Sequence, residues 1–142
     1  MTPEEILSYP PKILTQEQRE HYFEFGFVGI KDLVPSETLK IIKKVTSEFV
    51  DKSREVTESN NVFDIGPGHS YENPVLRRLK SPDENHEEYW NFSKGLMADV
   101  ASDLVGPNVT FHHSKLNFKW YDESDTVTVS YTHLTLPTIY SV

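Results

Sequence analysis

The sequence predicts an α+β fold. Two long segments, one opening at Ser36 and one at Pro82 or Asp83, carry apolar residues at helical spacing. Two others, Val62 to Ile65 and Val109 to Trp120, have the composition and alternation of strands. The chain has 142 residues, which suits one domain at most, or a piece of one.

The elements follow in order. Residues 1–14 read as an arm, because Pro3, Pro10 and Pro11 interrupt any regular element there. Thr15 with Gln18 three positions on is a capping-box pattern, and Gly26 supplies a stop. A short helix is expected between them, with Tyr22, Phe23 and Phe25 as its apolar content. Phe27-Val28-Gly29-Ile30 is a β-prone run that ends at Asp32 to Pro35.

Ser36 is a good N-cap, and Glu37 sits in the first turn, where the helix dipole favours a carboxylate. Leu39, Ile42, Val45, Phe49 and Val56 then mark one face of a helix of about twenty residues, near 30 Å long. Lys40, Lys43, Lys44, Glu48, Asp51 and Lys52 fall on the other face and read as solvated surface. Residues 57–75 are rich in turn chemistry: Asn60-Asn61, Gly66-Pro67-Gly68 and Asn73-Pro74. Val62 to Ile65 can form a strand between these turns, and Val75 to Leu79 follows.

The second long helix carries Tyr89, Phe92, Leu96, Met97, Val100 and Leu104, and Gly106-Pro107 ends it. Its aromatic stripe reads as core. Val109 to Trp120 reads as one long strand. Alternation sets Lys115, Asn117 and Lys119 on one face and Leu116, Phe118 and Trp120 on the other. A strand with helices on its apolar side and a cavity on its polar side shows this pattern. So does a strand with one face in water.

Composition narrows the function. With 22 acidic and 14 basic residues the formal charge is −8, so no basic stripe exists to neutralise phosphates, and nucleic acid is not an expected partner. Zero cysteine excludes disulfides, thiolate zinc sites and a cysteine nucleophile. That fits a reducing compartment, and a cytoplasmic protein is expected. No apolar run approaches the roughly 18 residues of a membrane span, and Met1 to Lys12, with Glu4 and Glu5, is no signal peptide. Residues 130–142 contain no Asp, Glu, Lys or Arg and resemble translated adapter sequence. They are expected to be a non-native tail, with the natural chain departing near Thr126 to Val129.

The six histidines form no evident site. On a strand, positions i and i+2 share a face and can hold one metal, the basis of the H-x-D/E motif. Only His86-Glu87-Glu88 matches in letters, and it lies at the start of a predicted helix, where those positions diverge. His112-His113 is expected to send one ring to each face of its strand. Asp64 and His69 make a weaker pair, five apart in a loop. Gly66-Pro67-Gly68 lacks the lysine and the following helix of a phosphate loop. No nucleophile elbow occurs.

The order of parts resembles a family. Leu14-Thr15-Gln16-Glu17-Gln18 leads into Tyr22 to Val28, then into Leu33-Val34-Pro35-Ser36-Glu37 and its helix. Further on come Leu104 to Val109 and His113 to Lys119. This sequence of units is similar to the N-terminal part of the phytanoyl-CoA dioxygenase family, over about residues 12–125. The resemblance implies an incomplete double-stranded β-helix, or jelly roll, preceded by its N-terminal helices, with most of the jelly-roll strands missing. Residues 15–129 would form that partial domain.

It further implies an enzyme that uses Fe(II) and 2-oxoglutarate to hydroxylate a small organic or lipid-like substrate. The family's H-x-D follows the segment matching Lys115 to Trp120, where this chain has Ser124 to Val129 and then the tail. The distal histidine and the 2-oxoglutarate arginine lie far downstream in the family. The chain itself therefore offers no metal ligands and no catalytic residue, and is expected to be inactive and to bind neither cofactor tightly. The family places a co-substrate contact at the position matching Lys115, with Asn117 on the same face, and a basic residue near 2-oxoglutarate in the region of Arg78. A cation there suits a carboxylate; the competing reading is that Lys115 and Arg78 are surface charges.

The alternative is a non-catalytic α+β module whose charged helix faces bind a protein partner. Under the first reading, unpaired strand edges and exposed Leu116, Phe118 and Trp120 would make the isolated chain poorly soluble.

Overall fold

A computed structural model describes residues 1–120, and the expectations placed on the tail and on Ser124 to Val129 lie outside them. Its elements are helices α1 (Pro3–Ser8), α2 (Gln16–Phe25) and α3 (Ser36–Ser53), strands β1 (Phe63–Ile65) and β2 (Leu76–Lys80), helices α4 (Pro82–Asn85) and α5 (Glu87–Phe92), a π-helical segment (Ser93–Met97), helix α6 (Ala98–Val105) and strand β3 (Lys115–Asn117). The α+β class is observed. The strands form one antiparallel sheet in the order β1-β2-β3.

The sheet rests one face on the helices. Leu79, fully buried at the centre of β2, lies opposite Phe63 on one side and Leu116 on the other. This row packs with Val45 and Phe49 of α3 and Tyr89 of α5, and Ile42, Val62 and Phe118 close its rim. The Tyr89 hydroxyl is satisfied by Thr46. Burial raises the phenol's pKa, against the opposing pull of that hydrogen bond. Gly66, just past β1, donates its N–H to the Val75 carbonyl at 2.8 Å. A Cβ there would stand 2.8 Å from Val75 Cγ1, so only glycine lets the two chains approach so closely.

The second packing centre ties the N-terminus to α6. The Asp103 carboxylate accepts three consecutive backbone N–H groups, from Lys12, Ile13 and Leu14, each at 2.8 Å. Arg19, only 1% exposed, donates to the carbonyls of Ile6, Tyr9 and Asp103 and to the Gln16 side chain. Both charges are thus held by main-chain dipoles, which is what lets them lie buried. Burial raises the Asp103 pKa, but the three N–H donors and the Arg19 charge outweigh it, and the carboxyl sits below its ordinary value.

Several expectations are corrected. The arm is not irregular: Pro3 occupies the first turn of α1, where a missing N–H costs nothing, and Thr2 and Glu5 form a capping box. Phe27 to Ile30 form no strand. Pro35 rather than Ser36 is the N-cap of α3, and no side chain caps it. That helix ends at Ser53, before Val56, and Leu39 is exposed.

The single long helix from residue 82 is interrupted at His86, whose backbone is extended and whose Nδ1 accepts the Glu88 N–H at 3.2 Å, capping α5. The long strand over 109–120 shrinks to Lys115–Asn117, which pairs with Arg78 to Lys80 of β2, and one further backbone bond, Phe118 N–H to the Arg77 carbonyl at 2.9 Å, continues the contact. The exposure expected of Leu116, Phe118 and Trp120 is not found: all three are half-buried, and Trp120 Nε1 donates to the Leu76 carbonyl at 2.7 Å. Among the described residues no helix is long and apolar enough to cross a membrane.

Candidate functional site

Strand alternation carries the polar residues of the sheet to the face opposite Leu79. Asp64, Arg78 and Asn117 stand side by side across the three strands, paired in register Asp64 to Arg78 and Arg78 to Asn117. Arg78 Nε donates to Asn117 Oδ1 at 3.2 Å, and Arg78 Nη1 lies 3.9 Å from Asp64 Oδ2. One register step away, Lys80 faces Lys115. The Lys80 ammonium reaches back to the Asn60 carbonyl at 2.7 Å.

The three residues singled out from the sequence, Lys115, Asn117 and Arg78, therefore share one face of β2 and β3. Arg78 and Asn117 are in direct contact. Lys115 sits one register step away, in the pair next to theirs.

Among the described residues this face carries Arg78, Lys80 and Lys115 together with the carboxylate of Asp64. The Asp64–Arg78 pair is partly exposed, its side chains retaining 20% and 28% of their accessible surface. Such a pair contributes roughly 0–1 kcal/mol. It orients the guanidinium rather than holding the sheet together. Lys80 and Lys115 stand directly opposite each other on adjacent strands, an arrangement in which like charges repel.

Sequence reasoning missed Asp64 and Lys80 as members of this face. The signal was present in the strand parity of 62–65 and 75–80, but it needs the register of the hairpin to become a site.

The histidines take structural roles. His69 Nδ1 accepts the Val75 N–H at 2.8 Å, so the proton lies on Nε2, which donates to the Ser53 carbonyl at 2.9 Å. The ring pins the end of α3 to the start of β2, while Asp64 turns to Arg78; the two are not a metal pair. His86 serves as the cap described above. His112 and His113 do not point to opposite faces of a strand. Their rings lie 4.6 Å apart, with the two Nδ1 atoms in contact. Among the described residues no three metal-ligating side chains converge.

No family model, no curated protein and no solved structure matches the chain.

Proposed function

We propose that this chain is the N-terminal part of an Fe(II)/2-oxoglutarate-dependent hydroxylase of the phytanoyl-CoA dioxygenase type, acting on a small organic or lipid-like substrate. One observation carries the reading. Lys115, Asn117 and Arg78, the co-substrate contacts that the family resemblance implies, share one face of the antiparallel β2–β3 pair.

On that face Lys115 and Arg78 bind a dicarboxylate electrostatically, and Asn117 and Asp64 fix the guanidinium's orientation. Leu79, Leu116 and Phe63 hold the strands against α3 and α5 from behind and keep the face rigid. Iron, when bound, supplies the oxygen chemistry. The described residues do not supply its ligands, and no step through the metal is assigned to them. The antiparallel β1-β2-β3 sheet supports this reading, which needs further strands from outside the described residues to complete a jelly roll.

The test is to express the uninterrupted reading frame and measure succinate formed from 2-oxoglutarate with Fe(II) present. Turnover is expected, with Lys115→Ala and Arg78→Ala raising the apparent KM for 2-oxoglutarate. No turnover, or variants with an unchanged KM, would overturn the assignment. A non-catalytic interaction module draws on a different observation, the exposure of Phe25 and Phe27, which flank His21 in a small aromatic cluster. It becomes the reading of choice if the uninterrupted frame is inactive yet retains a partner on that cluster.

A further inference from the structure

A cavity of about 550 Å³ opens between the α5–π–α6 run and the segment 109–114. Its size falls in the range of small-ligand sites. Arg78, Asn117 and Lys115 are not among its walls, so it is separate from the sheet face. Met97 and Ala101 are part of its apolar lining. Trp90 and Phe111 meet edge to face across 5.3 Å at 87°, yet remain 39% and 40% exposed. Two large rings are thus ordered against each other at the rim, with open space before them rather than core.

Charge at the cavity runs against the rest of the chain. Acidic residues outnumber basic ones 22 to 14 overall. Among the described residues the wall nevertheless holds Lys94 and no carboxylate. Two acidic groups stand close by: Asp99 pairs with Lys12 at 2.8 Å, and Asp83 accepts from the Ser114 hydroxyl at the cavity edge.

The backbone is unusual at the same place. A kink at Gly95, at φ −93° and ψ −111°, separates the helical turns on either side of it. Lys94 sits at that kink, and its Nζ stands over the Trp90 ring, 5.8 Å from the centroid. An ammonium beside an open aromatic wall recognises a flat ring that carries an anion.

We propose that this cavity binds a small aromatic carboxylate, its ring against Trp90 and Phe111 and its carboxylate on Lys94. The inference does not depend on the dioxygenase reading and survives its failure.

The test is an NMR titration of the full chain with naphthoate, against the neutral naphthylmethanol as control. The Trp90 indole signal should move saturably while that of Trp120, whose Nε1 is bound to the Leu76 carbonyl, stays still as an internal reference. Naphthoate should bind about ten-fold more tightly than the alcohol, the scale of one charge-assisted contact. Lys94→Met should erase that difference, and Ala101→Trp, which fills the cavity, should abolish both. Equal affinity for acid and alcohol, a discrimination that survives Lys94→Met, or shifts that spare Trp90 would each overturn the proposal. Should Ala101→Trp fail to fold, the Lys94→Met comparison decides alone.

Discussion

Arg19 Nε donates to the backbone carbonyl of Asp103 at 2.9 Å, while the Asp103 carboxylate turns the other way and accepts three backbone N–H groups from residues 12–14. The two residues lie 84 positions apart in sequence and share no direct side-chain ion pair. Between them they fasten α1, the linker and α2 to α6. Removing the Asp103 carboxylate takes the acceptor from three backbone donors, the buried Leu14 N–H among them, and the expected cost of Asp103→Ala is about 1–3 kcal/mol. Urea denaturation of the two chains measures it.

The same carboxylate makes stability pH-dependent with a definite sign. Its folded pKa lies below that of an ordinary aspartate. The stabilisation is therefore complete above the ordinary aspartate pKa and is lost as pH falls through the lower folded value. The stability gap between the native chain and Asp103→Asn should accordingly narrow on acidification from about pH 6 to about pH 3. A gap that widens over that range would contradict the geometry.

Leu79 has no accessible surface and sits between Phe63 and Leu116. Leu79→Ala should cost about 2–5 kcal/mol, the range for a fully buried leucine that leaves a cavity. Calorimetry should show a lowered Tm. The loss should be larger than for Leu39→Ala, because Leu39 is 43% exposed.

Gly66→Ala should also destabilise, by about 1–3 kcal/mol, because the new Cβ meets Val75 Cγ1 and the Arg77 side chain. Gly29, with nothing near its Cβ position, provides the control: Gly29→Ala should leave the denaturation midpoint almost unchanged.

Local signals were legible in the sequence where the physics is local. The Thr15–Gln18 box and Gly26, at φ 79°, delimit α2 as read, and Ile42, Val45 and Phe49 mark the buried side of α3. The same box pattern at Thr2 and Glu5 was present as well. Pro3, a breaker inside a helix, is compatible with its first turn, where it stands.

Longer-range features were not legible. The apolar stripe begins only at Tyr89, and residues 83–88 hold no apolar residue, so nothing in its periodicity announces that His86 caps a new helix. Alternation over 109–120 gives the face of each residue correctly around Lys115 to Asn117, but the length of β3 is set by its partner β2, which the pattern does not contain. The cationic face was half legible. Lys115 and Asn117 share a strand, whereas Arg78, Lys80 and Asp64 join them only through register.

We propose that the Lys115–Asn117–Arg78 face belongs to an oxygenase whose metal ligands follow it in sequence. The most direct measurement is to determine the uninterrupted coding sequence beyond Val129. An H-x-D motif is expected within about ten residues, on the strand following β3. A reading frame that continues with no such motif would contradict the account.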